Sequence, residues 1–128
     1  MTRFDAATED TRQELFADAI RAHEERESAF LTVETETQSD EERSPWLQFA
    51  EGILNVDCTD GELDRVKELL NDYPAFRIDE LESPEDADGT NVHIAARADP
   101  ERVAEFVDRL FIAVYEQPAD YRAWIAAI

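Results

Sequence analysis

Asp99-Pro100-Glu101-Arg102-Val103-Ala104-Glu105-Phe106-Val107-Asp108-Arg109-Leu110-Phe111-Ile112-Ala113-Val114 carries the clearest structural signal in the chain. Val103, Phe106, Val107, Leu110, Phe111 and Val114 recur at the three- and four-residue spacing that lines one side of an α-helix. Asp99 suits the N-cap and Pro100 the first helical position, where a missing backbone N–H costs nothing. A stripe this apolar needs a surface to lie on, and the segments on either side supply one.

Immediately upstream, Asn91–Arg97 and Phe76–Leu81 read as antiparallel strands joined by a turn over Ser83–Gly89. Before them, Asp60-Gly61-Glu62 opens a helix with Leu63, Val66, Leu69 and Leu70 on one face, and Tyr73-Pro74 ends it. Ile53–Cys58 and Pro45–Ala50 are two further strands, interrupted by Glu51-Gly52, where a glycine marks a turn or bend. Ala29–Thr37 is a half-buried strand, joined to the next by a polar turn over 38–44. Leu15, Phe16, Ala19, Ile20 and His23 predict a first helix over 10–26, with Asp10 or Thr11 at its N-cap. Residues 1–9 read as loose. Downstream, Gln117-Pro118 breaks the long helix, and Tyr121, Trp124, Ile125 and Ile128 fall on one side of a short last helix. The expected fold class is α+β: an antiparallel sheet of about five strands with helices on one face. The order is α-β-β-β-α-β-β-α plus a short C-terminal helix, in a single domain over 1–128.

Composition sets the habitat. The 128 residues carry 32 acids against 12 bases, a formal charge of −20, and Lys67 is the one lysine beside eleven arginines. Disorder is opposed by twelve aromatics and 43% apolar residues. Twenty unbalanced charges repel one another in dilute buffer. At 1 M salt the Debye length falls to about 3 Å and the repulsion is largely screened. The composition therefore resembles that of cytosolic proteins of salt-loving archaea, and a small haloarchaeal family of unknown function is the expected home. No apolar stretch approaches a membrane span, and no secretory leader is recognisable at Met1-Thr2-Arg3-Phe4-Asp5, so a cytoplasmic location is expected. The scattered arginines offer no basic stripe for nucleic acid.

The candidate chemistry is thin. Asp86-Ala87-Asp88-Gly89-Thr90-Asn91 has the look of a calcium loop, but with Gly89 at its sixth position the first is Pro84 and the twelfth Ala95, neither a usable ligand. A hairpin turn explains Asp88-Gly89 equally well. Asp57-Cys58-Thr59-Asp60-Gly61-Glu62 and Asp64 gather carboxylates that could serve a metal-dependent or acid/base enzyme together with His93. A strand end, an N-cap and a first helical turn explain the same residues. Cys58 near a helix start has no base beside it in sequence and reads as inert. His23 reads as a boundary residue that packs its ring. No metal and no cofactor is expected.

Contact surfaces are the stronger expectation. Trp46 and Phe49, read as opposite Leu47, give that strand apolar groups on both faces, which implies a cover for the far face of the sheet. His93 faces away from Val92 and Ile94. Tyr121, Trp124, Ile125 and Ile128 either cap the chain's own core or dock on another subunit. Trp46, Phe49, His93, Tyr121, Trp124, Ile125 and Ile128 are thus the candidate partner interface, with a homodimer as the simplest assembly.

The element order resembles the type III secretion chaperone-like fold and, within it, the YbjN-like proteins. The residues that carry the resemblance are Leu69-Leu70-Asn71-Asp72-Tyr73, Phe76-Arg77-Ile78, the turn Asp88-Gly89, Asn91-Val92-His93-Ile94, and the Asp99–Tyr115 helix with Phe106 and Phe111. It covers about residues 10–115. The resemblance implies a small dimeric adaptor or chaperone that offers a sheet and helix grooves to a partner. The functional expectation is a salt-adapted, non-enzymatic binding or adaptor module; the alternatives are the carboxylate enzyme above and an acidic mimic of nucleic acid.

Overall fold

A computed structural model describes residues 5–26, 30–36, 45–83 and 89–127. Three helices pack on a seven-stranded antiparallel sheet. The elements are β1 (Asp5–Ala6), α1 (Glu9–Arg26), β2 (Leu31–Thr35), β3 (Trp46–Ala50), β4 (Ile53–Cys58), α2 (Asp60–Leu70), β5 (Arg77–Glu82), β6 (Thr90–Ala95), α3 (Pro100–Ala113) and β7 (Ala123–Ala127). The strands lie in the order β1-β7-β2-β3-β4-β6-β5. The α+β class and the central run of elements agree with the sequence. The strand count differs, and both differences lie at the ends of the chain.

The expected C-terminal helix is strand β7. Tyr121, Trp124 and Ile125 fit helical spacing, but Tyr121, Ala123 and Ile125 also alternate with Arg122, Trp124 and Ala126. Tertiary context decides between the two periods. One edge of β2 is taken by β3, and its other edge presents backbone groups that need partners. Residues 123–127 supply them, with Val33 opposite Ile125 and Glu34 opposite Trp124. As a result Trp124 and Ile125 point to opposite faces. The stretch expected to be loose contains β1, which adds to β7 by pairing Asp5 with Trp124 and Ala6 with Ala123. An Arg122–Asp5 ion pair of 3.0 Å fastens that edge.

Local chemistry explains the helix starts. Thr8 caps α1, two residues before Asp10 and three before Thr11, the two expected positions: its carbonyl accepts from Arg12 N–H at 2.8 Å and its hydroxyl from Thr11 N–H at 3.3 Å. Thr59 caps α2 in a reciprocal box, taking the Glu62 N–H at 3.2 Å while the Glu62 carboxylate takes the Thr59 N–H at 2.8 Å. Asp99 sits at the N-cap of α3 without a side-chain capping bond, and Pro100 follows. Between β3 and β4, Glu51 and Gly52 have φ of 51° and 80°, the two-residue hairpin turn whose twist matches the strands.

The core lies between the helices and one sheet face. Leu31 and Val33 of β2, Leu47 and Phe49 of β3, Leu54 and Val56 of β4, and Val92 and Ile94 of β6 are buried in one cluster with Phe16, Val66 and the whole α3 stripe. Phe106 meets Tyr73 and Phe76 edge-on, both at 4.9 Å between ring centroids. An ion pair is sealed in the same layer. Arg12 of α1, fully buried, donates from Nε to Asp108 of α3 at 2.7 Å and from Nη1 to the Tyr121 carbonyl at 3.0 Å. The Tyr121 hydroxyl also donates to Asp108 at 2.7 Å, and the guanidinium lies 4.0 Å over the Tyr121 ring. This network ties both long helices to the entry of β7.

Candidate functional interface

Period-two alternation sends every second side chain of the sheet away from the helices. On β3, β4 and β6 these include Gln48 and Ala50, Ile53 and Asn55, His93 and Ala95, with Trp46, Asp57 and Asn91 at the ends of the same outward series. The first six are half-buried, and the registers set them in adjoining rows: Gln48 opposite Asn55 opposite His93, and Ala50 opposite Ile53 opposite Ala95. The patch is neutral. Charge surrounds it: Glu80 pairs with His93 and Arg77 with Ala95 on β5, Asp57 pairs with Asn91, and Glu34 stands between Trp46 and Trp124. Among the described residues no helix lies over this face.

The polar groups of the patch bond to one another. Asn91 donates from Nδ2 to Asn55 Oδ1 at 2.5 Å and to Asp57 Oδ1 at 2.9 Å. Its Oδ1 lies 2.7 Å from His93 Nε2, so the imidazole donates there. The other ring nitrogen of His93 is 3.6 Å from Glu80, an ion pair when the ring is protonated. The chain thus fixes the directions of these amides and of the imidazole before any contact is made.

The sheet edges are less welcoming. β1 has two residues. β5 is exposed along almost its whole length, carries Asp79, Glu80 and Glu82, and shifts register between Ile78 and Glu80. Short, charged and bulged edges resist the addition of another strand.

Trp46, His93 and Trp124 of the expected interface lie on the outer face, half-buried. Phe49 and Tyr121 do not: both are core residues, because Phe49 falls on the inward beat of β3 and Tyr121 is held by Asp108. Ile125 also points inward, against the core. Ile128 lies outside the described residues, as do Asp86, Ala87 and Asp88 of the calcium-like loop. Gly89 of that loop has a packing role, since a Cβ there would come within 2.9 Å of the Cys58 carbonyl oxygen.

The carboxylates of Asp57–Asp64 do not converge. Asp57 is on the outer face, Glu62 is engaged in the α2 cap, and Asp60 and Asp64 are exposed on that helix. Among the described residues no group of three His, Cys, Asp or Glu side chains is placed to hold a metal ion. Cys58 is buried, 3.8 Å from the Tyr115 hydroxyl, and burial pushes its thiol up from 9.0 to about 11. Desolvation likewise raises Tyr115, whose hydroxyl donates to the Asp57 carbonyl at 2.5 Å. A protonated, enclosed thiol is a poor nucleophile.

A model of a family of unknown function, DUF7975, matches residues 1–128. The chain belongs to that family. No curated protein and no solved structure matches it. The secretion-chaperone-like resemblance therefore rests on the quoted residues alone. Among the described residues no helix is long and apolar enough to cross a membrane. Sequence reasoning missed Gln48, Asn55 and Asn91 as outer-face residues, though each sits one step out of phase with a buried neighbour. It also missed Arg12, which stands four residues before Phe16 on the buried stripe of α1.

Proposed function

We propose that this chain is a salt-adapted, non-enzymatic binding module that works through the outer face of its sheet, and that the face pairs with a second copy. The observation that carries this reading is the neutral patch of Gln48, Ala50, Ile53, Asn55, His93 and Ala95, framed by charge and open among the described residues. A neutral centre inside a polar rim is the usual anatomy of a protein contact. Amides and imidazoles both donate and accept, so two copies related by a two-fold axis can satisfy one another. The guarded edges favour pairing by faces over pairing by strands. The acids at the rim, Glu34, Asp57, Glu80 and Glu82, would face like charges on the partner copy. Molar salt relieves that repulsion, which joins the assembly to the −20 charge and to a salty cytoplasm.

Light scattering on Ile53→Arg tests the reading. In about 2 M KCl, where the Debye length is near its shortest, the native chain is expected at twice its 14.7 kDa mass. I53R places a charge in the centre of the patch and is expected to be a monomer with an unchanged far-ultraviolet spectrum. A dimer that survives I53R moves the contact away from this face.

A further inference from the structure

Phe30 and Leu81 are the two large apolar side chains left exposed among the described residues, at 57% and 46%. Leu81 belongs to the acidic edge strand β5. Phe30 lies one step before Leu31, which is sealed in the core, so alternation turns Phe30 to the outer face. Leu31 stands opposite Phe49 in the ladder between β2 and β3, and one further step of that register sets Phe30 beside Ala50. Ala50 stands opposite Ile53, and Ile53 opposite Ala95. Four neighbouring strands, about 4.8 Å apart, thus carry an outer row of Phe30, Ala50, Ile53 and Ala95: large, small, large, small.

A row of that kind fits its own reverse. A two-fold axis along the strands, between β3 and β4, turns one copy's face onto another's with the strand order reversed. Phe30 then meets Ala95 of the second copy and Ile53 meets its Ala50, so each large group is set over a small one. Each contact occurs twice. The adjoining row obeys the same axis. Thr32, Gln48, Asn55 and His93 stand opposite one another in turn. Reversal sets Gln48 over Asn55 and Thr32 over His93, all groups that both donate and accept. An axis through β3 would set Phe30 on Ile53, and one through β4 would set Ile53 on itself, large on large in both cases. Glu34 and Glu82, at the two ends of the third row, come side by side across the favoured axis, a repulsion that salt screens.

We infer that the outer face takes a second copy of this chain in that one alignment, with Phe30 as its anchor and Ala95 of the second copy as the seat. The alignment rests on the face-to-face pairing proposed above and adds to it the axis, the register and the anchoring residue. A large ring that enters a site made by small neighbours, and is desolvated there, is the usual source of binding energy at a protein contact. Sheets stacked face to face keep their strand directions within about 30° of each other, which an axis along the strands satisfies.

Sedimentation equilibrium in about 2 M KCl, on variants that trade size across the axis, tests the alignment. Phe30→Ala leaves a void at both ends of the row and is expected to raise the dissociation constant of the dimer at least about tenfold. Ala95→Phe sets ring against ring at the same two places and should weaken the homodimer at least as far. A mixture of F30A and A95F should form a heterodimer at least about tenfold tighter than either homodimer, because one of its two contacts is native and the other is the same pair exchanged. Melting curves show which variants are folded, and Ala95→Leu serves the same mixing test where A95F is not. A homodimer of F30A as tight as the native one, or folded variants that gain nothing on mixing, would overturn the alignment. If I53R still separates the native dimer in that event, the pairing by faces stands without it. A native chain that is monomeric in this buffer overturns the pairing and the alignment together.

Discussion

On β4, Leu54 and Val56 have none of their surface exposed, while Ile53 and Asn55, their neighbours in the chain, keep part of theirs. The same contrast runs through β2, β3 and β6. The inward beat holds aliphatic and aromatic groups that this chain's own helices cover. The outward beat holds amides, an imidazole and small apolar groups already bonded or packed among themselves. One side of the sheet therefore carries the stability of the fold, and the other is free to carry contact. Mutations should divide along the same line.

The largest effect is expected inside, where Arg12 is sealed against Asp108. Arg12→Ala leaves a buried carboxylate without its partner, which typically costs about 3–5 kcal/mol. Urea unfolding of R12A should show that loss in full. A loss under about 1 kcal/mol, the range of exposed ion pairs, would mean that the network does not join the helices to β7. The next contrast compares adjacent residues. Leu54→Ala should cost about 2–5 kcal/mol for the transfer and the cavity. Ile53→Ala should stay within about 0.5 kcal/mol in the monomer, as surface changes usually do. Equal losses would erase the distinction between the faces.

The narrowest effect, confined to alkaline pH, concerns Cys58. Its folded thiol titrates at about 11 against 9.0 for an open one, because burial disfavours the thiolate. Between those values the unfolded state has released its proton and the folded state has not. Stability therefore falls as pH rises across that window and is unaffected by this group below it. Cys58→Ala should flatten this part of the alkaline slope in thermal melts taken from pH 8 to 11, as about the span of the two titrations. An unchanged slope would place Cys58 outside the closed layer.

How much of this was legible depends on which force decided each element. The α3 stripe was readable because its own spacing and Pro100 specify it without help from elsewhere. The order of β2 through β6 was readable for the same local reasons, down to the Glu51-Gly52 turn. The two ends were not. Residues 121–128 fit helix and strand periods equally, and the unpaired edge of β2, a long-range fact, chose the strand. Burial of Phe49 and Tyr121 followed from phase and from a partner 13 residues away, neither of which an aromatic count reveals. The outer-face network was hidden because Asn55, Asn91 and His93 lie on two strands whose register is set only in the folded sheet.

Under the proposed pairing, the charge of −20 and the open face would meet in one property, the dependence of assembly on salt. Sedimentation equilibrium from about 0.2 to 2 M KCl, across which the Debye length shrinks severalfold, measures it directly. The mass is expected to rise from 14.7 kDa toward twice that value as the rim acids are screened. A mass of 14.7 kDa at every concentration, or a dimer that dissociates as KCl rises, would contradict the account.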